Sequence, residues 1–552
     1  MANSTLSPEE LVQSGRYGDA LRLLSDLAKK NPSNINLSLD AARLLRQMGN
    51  HGLAIEVLNE VRGVPSVHLS LTKAYLSQCD YRNAFLNYEF YHHSSSFNNS
   101  SSWNCASELQ KSTIILDILN QLTFGTPESA ISILLGFIHN YPFEGWWSYI
   151  WMSHCLRAKN DFQGYQDCSV GKMERALGKD YFPLNDDRTA YIQEIANKNL
   201  ATIRCVHSNS NIAPVSLNAS TPLGGFTPNH LKRTIPSTHD DINLISLKNG
   251  RACLHQCGVA FFDENDRFLP DISNGDSSII GTSDLLPISK KIKGNVLFLA
   301  NAYACEFFHW VAETLPRILC MKSSTASIDS IDYVFLRHAN NLHISTLSLL
   351  GIDKSKIITS EDSGIHISAD NLFLVDGIDP EYPSYETNPF TINLMRDAFL
   401  HFAEETSNNR DLKHIYIKRR GFYGREIINI SELESMLDEG GFTGVSPEKM
   451  TFPEQIYLFN NCTALIAPAG GALSNLVFAS KDLNLCVTYP QSATWKYYWS
   501  ISNHIGFRHY HIIGKEPDCN WTVDPDWMDI ENNRSYFVNL DAIKEFLKRI
   551  SL

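Results

Sequence analysis

The pattern Gly15-Arg16-Tyr17-Gly18-Asp19-Ala20 returns as Gly49-Asn50-His51-Gly52-Leu53-Ala54, so Gly15 to Gly49 and Ala20 to Ala54 each span 34 residues. Self-similarity at this period marks a stack of paired helices, each pair covering apolar surface that its neighbour cannot bury alone. A weaker copy stands at Asp80-Tyr81-Arg82-Asn83-Ala84, and the interval from Ala20 to Pro32 recurs from Ala130 to Pro142. The alanines let facing helices approach closely, and the prolines end helices because proline has no N–H to donate. The repeats predict an all-α domain over residues 1–205, interrupted by a loop over the Ser- and Asn-rich stretch Ser94–Ser102. From Ser208 to Asp241 the composition shifts to Ser, Asn, Pro, Thr and Gly without periodicity, which predicts a linker over 206–241.

With Ala20, Ala54 and Ala130 at the small-residue position of the second helix, this region resembles the tetratricopeptide repeat. The resemblance implies about four to five helix pairs. Such an array either serves as a structural cap or offers a concave surface for a protein partner, an acceptor or a second copy of the chain.

Past residue 242 the pattern changes. Val296-Leu297-Phe298-Leu299, Tyr333-Val334-Phe335-Leu336 and Leu372-Phe373-Leu374-Val375 are short β-rich runs separated by helical stretches, which predicts a parallel sheet. A helix over Thr391–Glu405 separates them from a second set, with strands at His414–Ile417, Ala464–Ala467 and Leu485–Thr488 and helices near Ser431–Glu439 and Pro453–Asn460. The expected class is α/β, a pair of Rossmann-like domains over 242–405 and 406–552 behind the all-α domain. Their ligands are expected at the carboxyl ends of the strands, in the cleft between them.

A net charge of −13 supplies no general attraction for nucleic acid or an anionic membrane, so any anion site must be local. The twelve cysteines form no C-x-x-C pair and read as reduced, mostly buried thiols. The first residues show neither a basic nor an apolar leader segment, and the longest apolar runs, such as Val296–Cys305, fall well short of the roughly 20 residues a membrane span needs. The expectation is a cytoplasmic chain without a transmembrane segment, at most peripheral to a membrane.

Three constellations carry chemistry. The first is Asn301 followed by Phe307-Phe308-His309-Trp310, Glu313, Pro316 and Arg317. In a helix starting near Cys305, His309 and Glu313 stand four apart on one face, a pair able to deprotonate a hydroxyl. The second is Tyr416-Ile417-Lys418-Arg419-Arg420 with Arg425 and Asn429, in which Lys418, Arg419, Arg420 and Arg425 fall within eight residues at a strand end. Guanidinium groups in that position fit a diphosphate and offset charge on a leaving group. The third is Pro468-Ala469-Gly470-Gly471-Ala472-Leu473-Ser474-Asn475, a strand end leading through small residues into an expected amphipathic helix, whose start offers N–H groups to phosphate. Neither G-x-G-x-x-G nor the P-loop pattern is present there.

These segments in this order, with Glu454-Gln455-Ile456 and Phe459 between the last two, resemble glycosyltransferase family 61 over residues 242–515. The resemblance implies a GT-B fold, a nucleotide-sugar donor as cosubstrate with no further cofactor, and inversion at the anomeric carbon without an obligatory metal. It places Arg419 and Arg425 on the donor diphosphate, with Gly470, Gly471, Ser474 and Asn475 at the phosphate-facing helix start. His309 and Glu313 fall beside the acceptor, a glycan or protein hydroxyl, in the context of polysaccharide biosynthesis. Asn301, Trp310, Arg317, Asn429 and Gln455 take acceptor-side or supporting positions.

Glu313 is the first candidate for the general base, with His309 the alternative and Asp376 a more distant one. Many eukaryotic members of the family have histidine where Ala469 stands, so a contact made by that residue is expected to be missing. Asp524 and Asp526 form a D-x-D only superficially and read as a surface turn. Two other readings remain: a helical-repeat adaptor with a degenerate transferase domain, and another nucleotide-sugar enzyme such as an epimerase.

Overall fold

The computed structural model describes residues 7–550 apart from 9–10, 12–16, 32, 48–49, 98–105, 142–145, 162–163, 165–167, 169–172, 178–187, 210–214, 218–219, 224–230, 232–234, 238, 256–257, 282, 284–285, 287, 302–305, 325–327, 361–364, 379–386, 407–408, 410, 420–424, 492–493 and 517–534. Gly15, Arg16, Gly49, Arg420 and the Asp524/Asp526 turn therefore lie outside the described residues, as does part of the Ser94–Ser102 loop.

The repeat region is a run of helices: Tyr17–Lys30, Ile35–Gln47, His51–Asn59, Pro65–Ser77, Tyr81–Ser94, Glu108–Phe124, Pro127–Asn140 and Trp146–Ala158. Their starts follow from local chemistry. Asp80 accepts from the Asn83 N–H, Ser107 and Gln110 cap each other reciprocally, and Thr126 accepts from the Ser129 N–H with Pro127 in the first turn. Ala20, Ala54, Ala84 and Ala130 are completely buried, as the small-residue rule requires. The array is fastened to the rest of the chain by Asp276, whose carboxylate accepts from the Tyr149 hydroxyl and, at 2.8 Å, from the Met173 N–H. Ile279, on the short helix that follows, joins the apolar core of the array.

The first sheet has nine strands and is mixed, where a parallel sheet was expected. Its parallel part runs Ile357–Thr359, Tyr333–Leu336, Lys290–Phe298, Ile365–Asp376, so strand order reverses between the last two. The antiparallel part comes from residues ahead of the expected strands. Arg251–His255 and Ile242–Lys248 both pair antiparallel with Ile365–Asp376; Gly258–Phe262 and Ala201–His207 extend them. Connections as short as that between His255 and Gly258 permit only antiparallel neighbours, since a parallel crossover needs a dozen residues or more.

The second sheet has six strands, every pairing parallel: Thr443–Val445, His414–Ile417, Ala464–Pro468, Asn484–Pro490, Arg508–Gly514 and Thr221–Pro222. Ala464–Pro468 is buried at every position, as expected for a strand covered on both faces. Strand order reverses here between His414–Ile417 and Ala464–Pro468. Thr221–Pro222 lies in the segment expected to be a linker. That segment instead adds an edge strand to this sheet and a two-stranded ribbon, Val215–Leu217 with Ile235–Ser237. Strands of two or three residues are too short to show an alternation of polar and apolar side chains, which is why the sequence reads as unstructured there.

One apolar cluster runs through both sheets, containing Leu297 and Val334 of the first and Leu465 and Val487 of the second. The helix Pro389–Phe399 passes between them, and Phe399 packs edge-on against Phe452 at 5.4 Å. Among the described residues no helix is long and apolar enough to cross a membrane. Cys155, Cys168, Cys253, Cys320, Cys462 and Cys486 are buried free thiols; Cys205 is exposed.

Candidate active site

Each sheet delivers one motif to the point where its strand order reverses, the place where α/β sheets open a crevice at the carboxyl ends of their strands. In the first sheet the chain leaves Phe298, passes Asn301, and enters the helix Phe307–His309. The expected helix start at Cys305 lies outside the described residues. The helix does not continue as a regular α-helix: Trp310–Thr314 forms a π turn, in which the Leu315 N–H bonds to the Trp310 carbonyl, before α-helix resumes at Leu315–Ser323. Pro316 explains this. It has no N–H for the carbonyl four residues back, and its ring needs the space that a wider turn gives.

At the start of this turn His309 Nδ1 stands 2.8 Å from Glu313 Oε1, and the Asn301 amide donates to Oε2 at 3.5 Å. The Glu313 side chain is 9% exposed and that of His309 24%, so the carboxylate lies beneath the imidazole. Trp310 faces the core, fully buried, with its indole N–H on Thr346 Oγ1 at 3.0 Å and its ring against His343. Arg317 is also buried, and its Nε–H donates to the Val375 carbonyl at 3.4 Å, tying the helix to the strand across the reversal. Asp376 ends that strand.

In the second sheet Arg419 stands just past His414–Ile417 and Gly470 just past Ala464–Pro468. Burial and the adjacent Arg425 lower the Arg419 pKa to about 10, while Tyr536 and Tyr498 act in the opposite sense. A Cβ on Gly470, whose backbone is fully extended, would stand 2.7 Å from Arg419 Nη1, so any side chain here displaces the guanidinium. Arg425 adopts a left-handed conformation (φ 57°), donates from Nη1 to the Ala469 carbonyl at 3.4 Å, and lies 4.9 Å over the Trp495 ring. Tyr498 donates its hydroxyl to the Gly470 carbonyl at 2.9 Å. Burial raises the pKa of this phenol to about 12.

The segment after the glycines is a 3-10 helix, Gly471–Phe478, where an amphipathic α-helix was expected. Leu473 to Phe478 are all buried, because core surrounds the segment and no face meets solvent. Side chains also favour the tighter turn: Ser474 Oγ donates to the Gly471 carbonyl at 2.8 Å, and Asn475 Nδ2 to that of Ala472 at 3.2 Å. Asn475 further donates to Gln455 Oε1 at 2.8 Å, and Gln455 to the Met450 carbonyl at 3.2 Å. Asn429 bonds the backbone of Val538 through both its amide oxygen and nitrogen. Ser474, Asn475, Gln455 and Asn429 thus build the turn and its surroundings.

The two motifs meet. The position a Gly471 Cβ would take is 3.5 Å from the Phe308 backbone nitrogen, and the Phe308 ring contacts His309 at 5.2 Å and Tyr497 at 4.5 Å. The His309 helix therefore rests on the glycine turn against which Arg419 lies. Trp495, Tyr498 and Arg396, whose Nη1 clasps the Val477 and Ala479 carbonyls at 2.8 and 2.9 Å, were not singled out in the sequence. The run Trp495-Lys496-Tyr497-Tyr498, following closely on a strand, is the signal that points to two of them. Among the described residues no group of three His, Cys, Asp or Glu side chains is arranged to hold a metal ion.

A helical array is thus followed by two α/β sheets, with the His309–Glu313 pair carried by one and Arg419 and Arg425 by the other. Residues 307–486 match the family Glycosyltransferase 61, and residues 11–64 match Tetratricopeptide repeat. The first match supports glycosyltransferase activity in general, and the second supports protein interaction through the array. No curated protein matches the chain.

Proposed function

We propose that the chain is an inverting, GT-B-type glycosyltransferase that moves a sugar from a nucleoside-diphosphate donor to a hydroxyl of a glycan or protein acceptor, acting in the cytoplasm in polysaccharide biosynthesis. The observation that carries this reading is the seating of the His309 helix on Gly471. It sets a proton acceptor beside a glycine turn backed by two arginines. Single displacement needs those two functions and their close approach.

In this reading His309 takes the acceptor proton on Nε2 while Glu313 holds Nδ1, an order that reverses the preference drawn from the sequence. The lesser burial of His309 supports it. The acceptor oxygen bonds to the anomeric carbon as the bond to the diphosphate oxygen breaks, and that electron pair stays on the diphosphate. Arg419 and Arg425 receive the charge, and the Glu313 carboxylate offsets that of the imidazolium. No metal is assigned a part, because the guanidinium pair supplies the positive charge. Donor and acceptor occupy the crevice between the switch points, and the helical array engages a protein partner, the acceptor or a second copy.

A screen of nucleotide sugars for thermal stabilisation and slow donor hydrolysis tests the reading. Stabilisation by one donor class, with hydrolysis lost in His309→Ala, is the expected result. No response to any nucleotide sugar removes it.

A further inference from the structure

Arg425 occupies an unusual position for a cation. Its backbone is left-handed, a conformation that costs about 1 kcal/mol or more for a residue with a Cβ and persists where surroundings enforce it. Among the described residues its side chain has one hydrogen bond, the 3.4 Å contact of Nη1 with the Ala469 carbonyl, and no partner for its buried Nε–H. The guanidinium carbon also lies 4.9 Å over the face of Trp495. Trp495 is itself held from the strand behind it: its carbonyl accepts from the Tyr489 hydroxyl at 3.4 Å, and Tyr489 is completely buried.

An aromatic face orients a guanidinium plane without using its N–H groups. A carboxylate in that place would consume them and neutralise the charge. A guanidinium stacked on one side, with an N–H unsatisfied, is arranged to complete its hydrogen bonds with an anion. We propose that Trp495 is the positioning residue that holds Arg425 for the donor diphosphate. This rests on the donor reading given above. Trp495 acts through Arg425 and makes no contact of its own with the reacting atoms.

The full chain is titrated calorimetrically with UDP, GDP and ADP, and the tightest binder is used with Trp495→Leu, Trp495→Phe, Arg425→Ala and the Trp495→Leu/Arg425→Ala double variant. A cation–π contact of this kind corresponds to a loss of about threefold to thirtyfold in affinity for Trp495→Leu, with Trp495→Phe close to wild type. The double variant is expected to bind no more weakly than Arg425→Ala, since the tryptophan has nothing left to position. Losses that multiply in the double variant, or a Trp495→Leu chain that binds as wild type does, overturn the inference and leave the donor site standing. Failure of all three nucleotides to bind the wild-type chain overturns the donor reading and the inference with it. Should Trp495→Leu not fold, Trp495→Met, which also lacks a π face, takes its place in the cycle.

Discussion

The guanidinium of Arg419 lies directly on the backbone of Gly470: a Cβ there would stand 2.7 Å from Nη1, nearer than real side chains approach. Because Gly470 is extended, alanine can adopt its backbone conformation, and the only thing that must move is the arginine. Gly470→Ala is therefore expected to fold with a melting temperature near wild type. Nucleoside-diphosphate affinity should fall by about tenfold, within the range for a displaced charge-assisted hydrogen bond. Calorimetric titration alongside a thermal melt checks both halves.

The His309–Glu313 pair gives a kinetic prediction. His309→Ala should lower the transfer rate by about a hundredfold to ten-thousandfold while nucleotide affinity holds. Glu313→Gln keeps a hydrogen-bonding group beneath the ring but loses the charge that offsets the imidazolium, so a smaller loss in kcat is expected. Single-turnover rates for the two variants decide the order: a dead Glu313→Gln beside an active His309→Ala would make the carboxylate the base.

Acid should destabilise the fold through its buried histidines. Burial lowers His51, His343 and His504 to about 4, and His154 and His509 to about 3. The unfolded chain takes up these protons near the ordinary pKa of about 6.5, before the folded chain does. The stabilisation is thus complete above about pH 6.5 and is lost as pH falls toward 4. Glu426, raised by burial to about 7, has the opposite sign: its contribution is present at low pH and lost as pH rises through 7. Five groups outweigh one. His154→Leu should reduce the protons taken up on unfolding at pH 5 by about one, measured as the slope of stability against pH.

The array is expected to melt with the body it is fastened to. Asp276→Ala leaves the Tyr149 hydroxyl and the Met173 N–H without their acceptor, which costs about 1 to 3 kcal/mol per buried group. A single calorimetric transition in the wild-type chain that splits in Asp276→Ala is the expected outcome. Two transitions in both would show that the array unfolds independently.

What the sequence makes legible follows element length and chemistry. His414–Ile417 and Tyr333–Leu336 are found where their runs of β-branched and aromatic residues stand, because a buried parallel strand is apolar throughout. The clustering of Arg419 and Arg425 is legible because four cations so close together stand out in a chain of net charge −13. The π turn is not foreseen, although Pro316 announces it. The aromatic run Trp495-Lys496-Tyr497-Tyr498 marks the place of Trp495, but not its stacking on Arg425, whose segment lies some 70 residues earlier. The desolvation of Glu426 beside an arginine motif has no local signature in the sequence.

The edge strand Thr221–Pro222 pairs with Tyr510 and His511, and Ser220 bonds to His509 and His511 at 2.6 and 2.8 Å across some 290 positions of chain. The polypeptide thus visits the second sheet, returns to build the first, and only then supplies the strands its early visit was waiting for. On the ribosome, residues 220–222 emerge long before their neighbours exist, so the outer edge of the second α/β half closes last. The same threading limits how such a chain can be recombined. Exchanging the second α/β half for another at residue 406 would leave its outermost strand behind, and a working chimera must carry residues 215–237 along with it.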